Sequence, residues 1–445
     1  MSRLRRALPL LLTLFLLPLP VLARDADVDD LGKVLKQGVK DITSKDARKH
    51  IVYLAGPECE GRASGEPGCD VAAEYLAKKL GEMGLVPGGD GETFRQKFHV
   101  NAGPFRGQRP KDERPTGRQP TYNVIGILEG AHAERAKETI VLGAHYDHIG
   151  HLDRKKMKVF WGADDNASGT AGVLLVAGAF AKAGMRPDRT IVFVLFSGEE
   201  RGLHGSDHYV KHPARPLADT VTMLNFDMLG RNDASRMDVY GSRSSPELSE
   251  ANLRLARAAK FKFRLEGGSV FQRSDHFRFY QRDIPVLFFN SGMHGDLHAL
   301  GDEPKKINFK KVERIAEHAW RLIWEIANRE TRPTFKKIPP EGAAGILMFV
   351  PDQMSIDEAK ELGLPKKKGG VRVRTVDAGG AGAEAGLQAG DVIFGLAGKY
   401  LDDKNPLKDL DRIADKLKVG QKASLLVLRD GRPKKLSVTR RDEDS

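Results

Sequence analysis

Five short segments gather acidic and imidazole side chains in this 445-residue chain. They are His145-Tyr146-Asp147-His148, Asp164-Asp165-Asn166, Glu199-Glu200, Asn225-Phe226-Asp227 and Met293-His294-Gly295-Asp296-Leu297-His298. Each stands at or near the end of an apolar run. Taken singly, a Glu-Glu pair or a His-x-Asp is ordinary solvated surface. Brought together at strand ends, the same groups are costly to hold, because like charges repel and each loses water. A pair of divalent cations removes that cost. Mixed imidazole and carboxylate ligands suit zinc, with cobalt or manganese as chemically similar substitutes.

The elements that must position these groups read as α/β. From Tyr122 to Ala327, β-branched apolar runs alternate with helical stretches. The runs are Tyr122 to Leu128, Thr139 to Gly143, Thr190 to Phe196, Val221 to Phe226 and Pro285 to Phe289; Ser168 to Ala183 and Lys310 to Asn328 have helical spacing. Uninterrupted apolar strands between helices imply a sheet covered by helices on both faces. Open sheets of this kind place their chemistry at strand C-termini. Upstream, residues 46–87 have an amphipathic helical pattern around a Gly-rich break, with Val71 to Met83 stopping at Gly84. Residues 102–120, rich in Pro, Arg and Gly, predict an exposed loop.

A second composition follows. Residues 331–340 hold three prolines and no periodic pattern, the mark of a linker. Beyond them, Ile346 to Val350, Gly370 to Val376, Asp391 to Leu396, Ala423 to Arg429 and Lys435 to Val438 predict strands, with a helix near Pro406 to Leu417. That is a small β-rich domain over 341–441. At the other end, Arg3, Arg5 and Arg6 precede an apolar run ending in Val21-Leu22-Ala23, the pattern of a cleaved signal peptide over residues 1–23. Pro9, Pro18 and Pro20 break that run and argue against a membrane anchor. The mature protein is then expected to be secreted or periplasmic, where Cys59 and Cys69 could pair or remain free thiols. The formal charge of +12 is scattered in short runs without interleaved aromatics, which disfavours nucleic acid as a partner.

The segments Gly143 to His148, Gly162 to Gly169, Ser197 to Gly205, Asn225 to Met228 and His298 to Asp302, with Glu60-Gly61-Arg62, Gly65 and Gly68 before them, resemble the M28 family of metallopeptidases over about residues 40–330. That family includes co-catalytic zinc aminopeptidases. The resemblance implies two zinc ions and a role for each residue. His145 and Asp227 would ligate one metal and Glu200 and His298 the other. Asp165 would bridge them, with Asp164 the alternative bridge. Asp147 would orient His145 as a carboxylate behind a ligand, and Glu199 would act as the general base. The peptide bond after the bridging residue, Asp165–Asn166, is expected to be cis. His148, His276 and His294 could line the pocket or be ordinary core or surface residues. The C-terminal segments Gly370-Val371-Arg372-Val373 and Ala385-Gly386-Leu387-Gln388-Ala389-Gly390-Asp391-Val392-Ile393 look like a PDZ domain of bacterial type, with Gly345-Ile346-Leu347-Met348 as the loop for a ligand carboxylate. The usual Pro before the second motif is absent, and Gly382-Ala383 stands near that place.

The implied activity is removal of N-terminal residues from peptides with a free amino end. Two other readings compete: a non-catalytic scaffold in which the PDZ domain binds a C-terminal peptide, and a related zinc carboxypeptidase or glutaminyl cyclase. The full ligand set and Glu199 weigh against a scaffold. Metal count and the end of the substrate attacked separate the rest.

Overall fold

The computed structural model describes residues 34, 36–101, 117–153, 158–184, 186–266, 271–338, 349–353, 362–364, 368–376, 381–403, 405–414 and 416–440. The expected signal peptide over residues 1–23 and the expected carboxylate-binding loop at 345–348 lie outside them. Among the described residues, no helix is long and apolar enough to cross a membrane.

The larger unit is built on a nine-stranded mixed sheet. Its strands are β1 (Val86–Pro87), β2 (Arg95–Asn101), β3 (Arg118–Leu128), β4 (Thr139–His145), β7 (Thr190–Phe196), β8 (Thr220–Phe226), β9 (Arg236–Tyr240), β10 (Lys262–Glu266) and β11 (Val286–Asn290). A separate pair comprises β5 (His151–Asp153) and β6 (Lys158–Val159). The spatial order is β1-β3-β7-β4-β8-β11-β9-β10, with β2 also pairing β3. β7, β4, β8 and β11 run parallel at the centre, while β1, β2 and β3 form an antiparallel flank. β3 starts at Arg118, inside the stretch 102–120 expected to be loop. Its first residues gain ladder partners from β2, with Arg118 opposite Asn101, and such pairing overrides a polar, turn-rich composition.

Helices α1 (Ser44–Leu54), α2 (Pro67–Glu82), α3 (Gly169–Ala183), α4 (His204–Lys211), α5 (Pro246–Ala258), α6 (His276–Tyr280) and α7 (Phe309–Asn328) cover the sheet. The alternation along β7 shows the layering. Ile191, Phe193 and Leu195 join the core under α1, α2, α3 and α7, and Val192, Val194 and Phe196 join the core that holds Tyr209 and Phe279. In α7 the apolar stripe carries Trp320, which stacks on Phe180 of α3 with ring centroids 4.7 Å apart. α3 approaches β8 closely because it begins with glycine: a Cβ on Gly169 would come 2.6 Å from the Phe226 carbonyl oxygen. Cys59 and Cys69 are buried free thiols, and burial pushes the Cys69 thiol up to about 12.

The smaller unit orders its strands β12 (Phe349–Gln353), β13 (Val371–Val376), β14 (Val392–Leu396), β16 (Lys422–Arg429) and β17 (Arg432–Thr439) side by side, with β15 (Lys399–Tyr400) on β14. Helices α8 (Ala381–Glu384) and α9 (Pro406–Ala414) accompany this sheet, which has its own apolar core around Ile393, Leu410 and Val427. The first strand runs Phe349–Gln353, a shift from the expected Ile346 to Val350. Between the units, residues 332–338 form no element yet are bound to the larger one. Arg332 pairs with Glu138 at 2.7 Å, Thr334 donates to Glu247 at 2.8 Å, and the Ile338 backbone NH donates to the Tyr280 hydroxyl at 2.7 Å.

Candidate active site

The C-terminal ends of the parallel strands meet at one edge of the sheet, and the chain delivers its acidic and imidazole groups there. β4 ends on His145, the turn after β7 carries Glu199 and Glu200, Asp227 follows β8, and the loop after β11 leads to His298. Asp165 and Asn166 lie in the turn entering α3. The Asp165–Asn166 peptide is cis, as the resemblance implies.

Asp165 divides the cluster. Its Oδ1 lies 3.5 Å from His145 Nε2, which is itself 3.3 Å from Asp227 Oδ1. Its Oδ2 lies 3.0 Å from His298 Nε2, which is 3.0 Å from Glu200 Oε2. One carboxylate therefore presents each oxygen to a different set of donors. His145, Asp165 and Asp227 form one group able to hold a cation, and His148, Asp165, Glu200 and His298 the other. His148 is the member that sequence reasoning left open. Its Nδ1 lies 2.9 Å from Glu200 Oε1, and its position three residues after His145 was the available signal. His276 is instead a core residue stacked on Phe288, with centroids 4.4 Å apart. His294 meets Asp164 at 3.2 Å. Asp164 Oδ1 accepts the Gly230 backbone NH at 2.6 Å, so Asp164 stands beside the cluster and Asp165 within it.

The electrostatics fit a place built for positive charge. Burial disfavours the protonated ring of His298, yet Glu200 and Asp165 outweigh it and raise its pKa to about 11. Burial acts the same way on His145, and Asp227 and Glu199 hold its pKa well above the ordinary value. Glu200 is held well below the carboxylate range: burial would raise it, but His298 and His148 prevail. Asp227 Oδ1 is buried without a hydrogen-bond donor. A buried carboxylate oxygen aimed at an imidazole nitrogen, with no donor of its own, suits a cation.

Glu199 differs from its neighbour. Burial, together with Glu200 and Asp275, lifts its pKa well above the usual value against the opposing pull of His145. It lines the same cleft as the two groups, a cavity of about 310 Å³. Asp147 ties the parts together. It accepts the Ser64 hydroxyl at 2.5 Å and the Glu199 backbone NH at 3.2 Å, and its Oδ1 lies 3.7 Å from His145 Nδ1.

Three supports have roles that the sequence reading did not assign, although Arg62 and Asp302 lie in segments that carry the resemblance. Asp302 accepts the backbone NH groups of Asp164 and Asp165 at 3.0 Å and fixes the turn that aims Asp165. Ser274 donates to Asp227 Oδ2 at 2.9 Å. Fully buried Arg62 donates to the carbonyls of Tyr146 (2.7 Å), Trp161 (2.7 Å) and Gly162 (2.8 Å), joining the loop after β4 to the turn before α3. Leu203, Met228 and His298, which line the cleft, have φ of 62°, 62° and 51°. Such non-glycine residues cost on the order of 1–3 kcal/mol each, and they persist where the surroundings impose them.

The chain is similar to known proteins in sequence and in fold. Residues 123–323 match the model of Peptidase family M28, and residues 357–439 match that of the PDZ domain. The chain is similar to leupeptin-inactivating enzyme 1 of Streptomyces exfoliatus, at 36% identity over 57% of this chain and 50% of that protein. It is also similar to a probable leucine aminopeptidase of Trichophyton verrucosum, at 31% identity over 47% of this chain and 56% of that one. The chain thus spans about half the length of the curated relatives it matches. Among solved structures, the LapA aminopeptidase of Legionella pneumophila aligns with a TM-score of 0.53 at 22% identity, over 68% of this chain and 75% of that one. The zinc aminopeptidase BSAP of Bacillus subtilis aligns with a TM-score of 0.53 at 17% identity, over 66% of this chain and 98% of that one. At these identities the structural likeness establishes the fold.

Proposed function

We propose that the chain, whose residues 123–323 match peptidase family M28 and 357–439 the PDZ domain, is an exported di-zinc aminopeptidase, releasing N-terminal residues from peptides, whose PDZ domain binds substrate or a partner. The observation that carries this reading is Asp165, whose two oxygens face separate groups of imidazole and carboxylate. His145 and Asp227 would hold one zinc ion, Glu200 and His298 the other, with His148 beside the second group and Asp165 shared. Bound there, the ions would supply Lewis acidity and make water a stronger acid.

The chain's own groups supply the remainder. Glu199 sits free of both groups yet lines the cleft. With its affinity for a proton raised, it would take one from the attacking water and return it to the leaving amine. Asp147 keeps Glu199 and His145 in fixed relation, since it holds the backbone of one and faces the ring of the other. Ser274 and Asp302 hold Asp227 and Asp165 in their orientations. The free N-terminus of a peptide would bind at the cleft floor beside the groups that hold the ions, which limits release to the first residue. Apolar Met228, Phe288 and Leu297 wall the same cleft and would take the first side chain.

The test uses purified full-length protein with a panel of amino-acid anilides and blocked peptides, with and without a chelator. Release of N-terminal residues only, lost on chelation and restored by about two equivalents of zinc, is the expected result. Release from the C-terminus, or turnover indifferent to chelation, would overturn the reading. For export, the mature N-terminus is read by sequencing the protein recovered from outside the cytoplasm, and cleavage after Ala23 is expected.

A further inference from the structure

The acidic groups at the floor of the cleft are accounted for by the cations they would hold and by the base Glu199. The cleft also holds two arginines the proposed reaction does not use, Arg278 and the exposed Arg273. Arg278, half-buried on α6, lines the same cavity as Glu199, Asp227 and Phe288. Its guanidinium meets two neutral acceptors: Nη2 donates to the Gly202 carbonyl at 3.3 Å and Nη1 to Gln281 Oε1 at 3.2 Å. Nε is buried without an acceptor. Among the described residues, no carboxylate pairs with it, whereas Arg231 pairs with Asp296 at 2.7 Å and Arg135 with Asp188 at 2.6 Å. Its anchor is also informative. The Gly202 backbone NH donates to the Glu199 carbonyl at 2.8 Å, so the turn that carries Glu199 and Glu200 also steadies the cation. An arginine with long contacts to neutral oxygens retains its capacity for the planar, two-pronged recognition of a carboxylate.

We infer that Arg278 binds a carboxylate of the substrate, so that the enzyme favours peptides with a negative charge placed at that wall, opposite in sign to the amine held at the floor. This rests on the aminopeptidase reading and adds a substrate class to it. The carboxylate has two sources: the C-terminus of a short peptide, or an acidic side chain in its first or second residue.

The experiment compares paired substrates for the wild type, Arg278→Gln and Arg278→Lys. The pairs are Leu-Ala-Ala as free acid and amide, Leu-Glu-Ala-amide against Leu-Gln-Ala-amide, and Glu-anilide against Gln-anilide. In the wild type, the charged member of one pair should be preferred about ten- to a hundredfold in kcat/KM, chiefly through KM, as a charge-assisted contact gives. That pair identifies the source. The preference should fall to within about twofold in Arg278→Gln and survive in part in Arg278→Lys, which keeps the charge but not the fork. Zinc content and circular dichroism check that each variant is folded. Wild-type preference below twofold in every pair, or preference persisting in folded Arg278→Gln, overturns the inference while leaving the aminopeptidase reading intact. If the wild type cleaves none of the six, the aminopeptidase reading itself fails. Calorimetry with Leu-Ala-Ala acid and amide and both Glu/Gln pairs then decides for Arg278: equal affinities within every pair overturn its role, and a charge preference lost in Arg278→Gln sustains it.

Discussion

Replacing Asp302 tests whether the turn that aims Asp165 is held from below. Asp302 is fully buried and reaches across 137 residues to accept the backbone NH of Asp165 at 3.0 Å. It also accepts the NH of Asp164, 3.0 Å from one oxygen and 3.1 Å from the other. In Asp302→Ala, two buried NH groups lose their acceptor. Each such loss costs about 1–3 kcal/mol, so the sum is about 2–6 kcal/mol. That is a large share of a native stability of about 5–15 kcal/mol. Asp302→Asn keeps the shape and one oxygen. It forfeits roughly one hydrogen bond to a charged group, about 1.5–3 kcal/mol, or a Tm lower by several degrees for a domain of this size. The assay is thermal unfolding of the metal-free protein, followed by zinc titration. Asp302→Asn should remain folded, melt several degrees lower and bind zinc about 10–100-fold more weakly, the usual loss when an outer partner of a ligand is removed. A Tm within 1 °C or so of wild type together with unchanged zinc affinity would refute the reasoning.

Three other outcomes are expected. Glu199→Gln should keep its zinc while turnover falls about 10²–10⁴-fold, whereas Glu200→Ala should lose zinc, both read by atomic emission beside anilide hydrolysis; the reverse pattern would mean base and ligand are exchanged. A chain ending at Ile338 should melt several degrees above one ending at Arg332, because it retains buried Ile338, worth about 1.5–3 kcal/mol. Burial would raise the Glu247 pKa, but its own backbone NH, the Thr334 hydroxyl, the Ser245 hydroxyl and the Thr334 backbone NH outweigh it and lower it to about 2. A lowered carboxylate pKa contributes stability above its unfolded value, lost as pH falls from about 4.5 towards 2. Amide exchange at Thr334, corrected for intrinsic rates, should therefore rise across that window and lose this dependence in Glu247→Gln.

The sheet's centre was legible because β4, β7 and β8 are buried on both faces, which writes a continuous apolar run into the sequence. The flanks were not. β2 and β9 carry mixed residues such as Arg95-Gln96-Lys97 and Arg236, and they are strands because neighbours pair with them. His145, Glu199, Glu200 and Asp227 stand at or just after strand ends, so their places could be read from those runs, whereas Asp165 lies in the turn entering α3 and His298 eight residues beyond β11. Asp302 and Arg62 fall in segments that carry the resemblance, but nothing local tells their roles, and Ser274 has no local pattern at all. Each is defined by hydrogen bonds to residues tens to more than a hundred positions away, and a buried arginine has the composition of a surface one.

The segment that follows α7 gives the two units a short leash. With Arg332, Thr334 and Ile338 fastened to the larger unit, only residues 339–348 separate that anchorage from β12. Fully extended, such a tether spans no more than about 40 Å. A peptide captured by the PDZ domain would therefore experience the cleft at millimolar effective concentration, provided its own length bridges the two sites. Peptides too short to do so would be processed as if the second unit were absent. Chain length itself would then become a selection criterion, independent of the residue being removed.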